Sequence, residues 1–155
     1  QRQALIDSVK SNHIDLIATD HAPHLLSEKY KPYISCPSGI PSIQHSLVMM
    51  LEMYKNNIFT IEEIVRKMCH APALIFNIKN RGFLRKDYYA DIVIVDLNNE
   101  WIVDKSNILY KCGWSPLEGE KFSSKVEMTF VNGKLIYEKG IFNKNYKGQK
   151  LEFNR

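Results

Sequence analysis

The stretch Ile14-Asp15-Leu16-Ile17-Ala18-Thr19-Asp20-His21-Ala22-Pro23-His24 decides how this chain reads. A mostly apolar run from Ile14 to Ala18 leads into Asp20, so a short buried strand is expected to leave a core where a carboxylate and two imidazoles begin. In parallel α/β architectures the functional groups sit at the carboxyl ends of strands, where loops to the following helices form the site. Asp20 has that placement.

Upstream, Leu5, Ile6 and Val9 fall on one helical face, and Ser11-Asn12-His13 is expected to end that helix before the strand. Downstream, His21 to Gly39 is polar and interrupted by Pro23, Pro32 and Pro37, which predicts a long loop of the kind that serves a site. Pro41 is expected to open a helix, since the N–H it lacks would have no partner in a first turn. Ile43, Leu47, Met50, Leu51 and Tyr54 give that helix an apolar stripe. Thr60 with Glu63 forms a capping-box pattern, followed at helical spacing by Ile61, Ile64, Val65 and Met68. Ala71-Pro72 is expected to end this helix, with one more turn over 73–76.

After about residue 78 the helical period gives way to short strands. Asp91 to Leu97 and Glu100 to Val103 read as strands, and Val126 to Val131 is expected to pair with Leu135 to Tyr137 across Asn132-Gly133, a tight hairpin signal. These changes predict a domain boundary near Asn77, dividing the chain into 1–77 and 78–155.

Of the 155 residues, 45% are hydrophobic and 25% charged, the balance of a globular protein and not of a disordered one. No apolar run approaches the ~20 residues that span a bilayer, so no membrane partner is expected. Gln1 to Ile6 lacks a signal peptide's apolar run, and a chain that begins without methionine reads as a piece starting mid-protein. The formal charge of +4 comes from scattered lysines, with denser grouping only at Lys144, Lys147 and Lys150, so a nucleic-acid partner is not expected. Cys36, Cys69 and Cys112 are odd in number and irregularly spaced, which matches neither a disulfide framework nor a metal knuckle and reads as reduced cytoplasmic thiols.

The wording from Ile17 to His24 resembles the last barrel-strand motif of the dihydroorotases, members of the amidohydrolase family of metal-dependent hydrolases. Cys36-Pro37-Ser38-Gly39-Ile40-Pro41 resembles their substrate loop, and Ala90-Asp91-Ile92-Val93-Ile94-Val95-Asp96 a late β-domain strand. Trp114-Ser115-Pro116-Leu117-Glu118-Gly119 and Val131-Asn132-Gly133-Lys134 follow in the same order, and ordered motifs are far more specific than a single one. The similarity covers nearly the whole chain but only the C-terminal third or so of a full-length family member.

What the resemblance implies is an α/β protein: over 1–77 the last strand and outer helices of a (β/α)8 barrel, then over 78–155 part of a small, sandwich-like β-rich domain that lacks its N-terminal strands. It implies zinc-dependent interconversion of N-carbamoyl-L-aspartate and dihydroorotate in pyrimidine biosynthesis, with two zinc ions, a small-molecule substrate and a cytoplasmic homo-oligomer. Asp20 would ligate metal and move the proton, because the attacking hydroxide must give one up and the departing nitrogen needs one. Taken alone, Asp20 reads first as a turn or helix-capping residue. His24 would bind the substrate's free carboxylate, as a hydrogen-bond donor without lysine's permanent charge. Ser38 and Gly39 would present loop backbone to the pyrimidine ring, glycine allowing close approach; without a ligand the same residues are a Pro-Ser-Gly turn.

His21 should point away from Asp20 and anchor the loop. His13, His45 and His70 sit in helical contexts and read as ordinary. Ser42-Ile43-Gln44-His45 stands where Gly-Leu-Glu-Thr is frequent in the family, and Asp87 where glycine is common. The family's His-x-His pair, bridging lysine, two further histidines, and carboxylate-binding arginine and asparagine have no match here. The chain by itself is therefore expected to be inactive. Two other readings stay open: another cyclic amidohydrolase such as a dihydropyrimidinase, hydantoinase or allantoinase, in which His24 would usually differ, and a non-catalytic dihydroorotase-like scaffold.

Overall fold

A computed structural model describes residues 1–154 of the chain. Helices come first: α1 (Arg2–Lys10), α2 (Leu26–Lys29), α3 (Ser46–Lys55), α4 (Ile61–Val65) and α5 (Ala71–Ile75), with a 3₁₀ turn at Tyr33–Ser35. Strands follow: β1 (Ile92–Asp96), β2 (Trp101–Ile102), β3 (Lys121–Phe122), β4 (Lys125–Val131), β5 (Lys134–Glu138) and β6 (Ile141–Phe142). One antiparallel sheet has the order β1-β4-β5-β6, and β2 pairs with β3 in a second. Asn132 (φ 52°) and Gly133 (φ 75°) make the tight turn between β4 and β5, as the Asn-Gly pair predicts.

Two apolar clusters meet at α3. Met50 and Leu51 pack with Ile6 of α1, Phe59 and Ile64, and with the half-buried Ile17, Val95 and Leu97. Val48, from another side of the same helix, packs with Val103 and Phe122 against Trp101, Ile108 and Leu117. Glu52 of α3 also accepts hydrogen bonds at 2.6 Å from both the N–H and the hydroxyl of Ser123. The helical part and the strands are thus tied through one helix.

Four expectations are corrected. Ile14 to Ala18 forms no strand: Ile14, Leu16 and Ile17 are half-buried while Asp15 and Ala18 are exposed. A parallel strand is normally paired on both sides and covered by helices, and among the described residues none lies beside this run. It is held by single contacts instead, the Ile17 N–H on the Lys67 carbonyl at 3.1 Å and the buried Lys67 ammonium on the Ile14 carbonyl. Pro41 does not open α3, which begins one turn later at Ser46. The residues between are occupied otherwise, Ser42 and Ile43 by His21 and Gln44 by a distant segment.

Nor does Ala71-Pro72 end its helix. Arg66–His70 forms a π-helical turn that carries α4 directly into α5. Proline's ring would crowd the carbonyl four residues back in a regular α-helix, and the wider π turn relieves that contact. Thr60 caps α4 as expected, accepting the Glu63 N–H at 3.2 Å while the Glu63 carboxylate accepts the Thr60 N–H at 2.8 Å.

His45 is not an ordinary helical residue either. It is fully buried, stacked against Phe122 and Trp101, with Nδ1 3.3 Å from the Tyr110 hydroxyl and Nε2 unpartnered among the described residues. Burial holds its pKa below the ordinary 6.5. The unfolded chain protonates this imidazole near 6.5 while the folded one does not, so stability is full above that pH and falls as the pH drops below it. His45→Phe should flatten that fall, measured as the change in denaturant midpoint between about pH 7.5 and about pH 5.5. An unchanged slope would mean His45 does not carry the pH dependence.

Candidate active site

Asp20 lies where the run from Ile14 turns outward. Its φ is 45°, a left-handed conformation that aspartate tolerates better than most residues, and it is exposed. Its carboxylate makes no hydrogen bond or ion pair among the described residues. The backbone on either side is fixed: the Ser42 hydroxyl donates to the Thr19 carbonyl at 2.7 Å, and His21 forms a parallel bridge with Ile40.

His21 anchors this corner. Its Nδ1 accepts the Ser42 N–H at 3.1 Å and sits 3.4 Å from the Ile43 N–H, so this nitrogen is not free for a metal. Its ring centroid is 5.3 Å from that of Tyr110. The expectation that His21 serves the loop agrees with these contacts.

The loop that follows folds back on itself. The Ala22 N–H donates to the Ile40 carbonyl at 2.9 Å, which lays Asp20 to His24 alongside Ser38 to Ile40. Gly39 has φ 86°, and a Cβ there would lie 2.5 Å from the Ala22 side chain. Glycine is required here by the packing of the two loop arms, whatever ligand the backbone also meets. The Lys29 ammonium closes the loop, donating to the carbonyls of Pro37 at 2.6 Å and Gly39 at 3.0 Å. Ser38, between the two carbonyls that Lys29 binds, is exposed.

His24 is half-buried. Its N–H donates to the Ala22 carbonyl at 3.0 Å, its carbonyl accepts the Trp114 indole N–H at 2.8 Å, and its Nδ1 stands 3.9 Å from the Glu28 carboxylate. At that distance Glu28 leaves the imidazole free to bond elsewhere. Glu28 itself accepts the Leu25 N–H at 2.8 Å at the start of α2.

The structure therefore brings Asp20, His24, Ser38 and Gly39 onto two adjoining loop arms. The other histidines are engaged elsewhere: His13 with Ser11 at 2.7 Å, His45 in the core, and His70 stacked on Phe83 with centroids 4.3 Å apart. Among the described residues no group of three or more His, Cys, Asp or Glu side chains is placed to hold a metal ion. Asp20 suits the role of a single ligand, an exposed carboxylate with no competing partner, but not of a whole centre. Sequence reasoning missed Lys29, Gln44, Tyr110 and Trp114. Trp114 stood inside a recognised motif, whereas a lone lysine or tyrosine carries no signal until the chain is folded.

Comparison with known proteins shows the family of the chain. The model of the "Amidohydrolase family" matches residues 1–136. The dihydroorotase of Ehrlichia chaffeensis is 38% identical over 140 residues, 90% of this chain and 31% of that protein. The dihydroorotase of Pyrococcus horikoshii is 38% identical over 138 residues, and Multifunctional protein pyr1-3 of Dictyostelium discoideum is 38% identical over 147 residues that make up 6% of its length. The chain thus spans about a third of the length of these dihydroorotases. Among solved structures, the L-hydantoinase (dihydropyrimidinase) of Arthrobacter aurescens superposes with a TM-score of 0.80 at 28% identity, covering 89% of this chain and 32% of that one. A D-hydantoinase superposes with a TM-score of 0.82 at 19% identity over 90% of this chain and 32% of that one, which shows the fold alone. With a family match across most of its length and the same α/β arrangement in solved relatives, this chain belongs to the amidohydrolase family.

Proposed function

We propose that this chain is the C-terminal part of a dihydroorotase, acting reversibly on N-carbamoyl-L-aspartate and dihydroorotate with zinc. The observation that carries the reading is that Asp20 and His24 share a loop whose backbone is fixed on either side of Asp20 and at His24, in a chain 38% identical to the dihydroorotase of Ehrlichia chaffeensis. Residues 1–77 are read as the end of the barrel and 78–155 as part of the β domain, the helices giving way to strands after α5. Two features are those of an assembly larger than this chain: the unpaired run at Ile14 to Ala18 and the exposed Val93 and Ile94 on β1, whose outer edge is open in the sheet order.

Asp20 would be one zinc ligand, the others coming from the rest of the parent. Zinc, when bound, supplies Lewis acidity toward water and the amide carbonyl. Asp20 receives a proton during attack on the amide and returns it to the departing nitrogen, a task for a carboxylate that no other side chain among the described residues engages. His24 donates a hydrogen bond to the substrate carboxylate. Ser38 and the Gly39 backbone face the ring's amide edge from the adjoining arm.

Substrate choice tests the proposal. The full-length parent should turn over dihydroorotate well ahead of dihydrouracil, a hydantoin or allantoin. Preference for one of those three would support the hydantoinase-type reading that the Arthrobacter aurescens structure favours. His24→Ala should cost about 1.5–3 kcal/mol on dihydroorotate, the worth of a hydrogen bond to a charged group, with little loss on dihydrouracil. Equal loss on both would mean that His24 orients the loop without reading the carboxylate.

The 155-residue chain alone should show no turnover and no tight stoichiometric zinc binding, because a catalytic zinc takes about three protein ligands. Equilibrium dialysis with zinc and a dihydroorotase assay check both. Robust turnover would reveal a ligand set other than the one argued from Asp20.

A further inference from the structure

The segment from Asn107 to Trp114 leaves β2 and runs back across the loops that carry the site residues before the chain reaches β3. It is fastened in succession along its length. Gln44 donates through Nε2 to the Asn107 carbonyl at 2.7 Å and accepts the Leu109 N–H on Oε1 at 2.8 Å. The buried Tyr110 accepts the Gln44 N–H on its hydroxyl at 2.9 Å and packs its ring near His21. At the far end the Trp114 indole N–H reaches the His24 carbonyl, 90 positions away in sequence.

That last bond falls on the one peptide that matters for a carboxylate-reading histidine. The peptide joining His24 to Leu25 is held on its carbonyl by Trp114 and on its N–H by the Glu28 carboxylate at 2.8 Å. The His24 N–H is itself committed to Ala22. With both sides of the peptide fixed, the Cα–Cβ direction of His24 is set while its imidazole stays free to bond. Loss of the indole donor leaves a carbonyl without its partner and a peptide free to rock about its remaining bond.

We propose that Trp114 is a positioning residue for recognition of the substrate's carboxylate, acting through the His24 backbone, with the Gln44 and Tyr110 clasp holding the segment that delivers it. This rests on the reading of His24 given above. The C-terminal half of the chain then contributes to substrate selection without touching the reacting atoms.

The test is Trp114→Phe in the full-length protein, which keeps an aromatic ring and removes the N–H. KM for dihydroorotate should rise by about 2–10-fold, the worth of one net hydrogen bond, with kcat and the inhibition constant of dihydrouracil little changed. A fall in kcat at constant KM, or equal weakening toward dihydroorotate and dihydrouracil, would overturn the proposal, because either result marks Trp114 as general loop support. His24→Ala run in parallel separates the two readings. Selective loss in His24→Ala without it in Trp114→Phe removes the role of Trp114 alone, and absence of selective loss in His24→Ala removes both. Should Trp114→Phe not accumulate as folded protein, site-specific replacement by benzothienylalanine, with sulfur in place of the indole N–H, gives the same readout with the ring shape kept.

Discussion

Asp20→Asn in the full-length parent is expected to lower turnover by on the order of 10²-fold or more while leaving thermal unfolding of the zinc-free protein unchanged. Asparagine is the informative replacement because Asp20 has φ 45°, a conformation asparagine tolerates and alanine adopts at a cost of about 1 kcal/mol. It is nearly isosteric, and Asp20 is exposed with no side-chain partner among the described residues, so packing hardly changes. What disappears is the negative charge, and with it the proton acceptor and zinc ligand of the proposed mechanism. Turnover in both directions, together with the zinc content of the purified parent, measures these losses. Near-wild-type turnover would sink the assignment of Asp20.

Gly82→Ala is expected to be the most damaging small change to stability. Gly82 has φ 80°, and a Cβ there would lie 2.8 Å from the Cys69 carbonyl oxygen and 2.5 Å from the Ala73 side chain. The backbone atom belongs to the π-helical turn and the side chain to α5, so neither can move without disturbing the helix that also holds Lys67. Left-handed strain and overpacking together should cost on the order of 3 kcal/mol, a large part of a typical folding free energy. In a chain of this size that corresponds to a fall in Tm of roughly 10 °C. Gly119→Ala is the control, since Gly119 has φ 88° but nothing within 4 Å of a Cβ. A similar fall in both variants would mean that backbone strain alone, and not the contact with the helix, accounts for the loss.

Several short-range signals stand where the sequence places them. The Thr60 and Glu63 cap, the Asn132-Gly133 turn and the β1 and β4 strands are decided by residues a few positions apart. His21 was legible as a loop anchor because side-chain alternation already turned it away from Asp20.

The sequence by itself also determined the family, through motifs kept in order from Asp20 to Gly133, and the identity of the residues proposed for the site. Only the tertiary structure decided how those residues are held. A strand needs a partner to be a strand, so Ile14 to Ala18, read as one from its apolar pattern, is instead pinned by Lys67. A helix start depends on competing bonds, so Pro41 lost its role when His21 and the Asn107–Leu109 stretch took the residues after it. The Trp114 bond to His24 and the burial of His45 join positions far apart in the chain, and no local pattern encodes which distant group will meet a given donor. That choice is made by the packing of α3 between the two apolar clusters, which fixes where the C-terminal segment returns to the site loop.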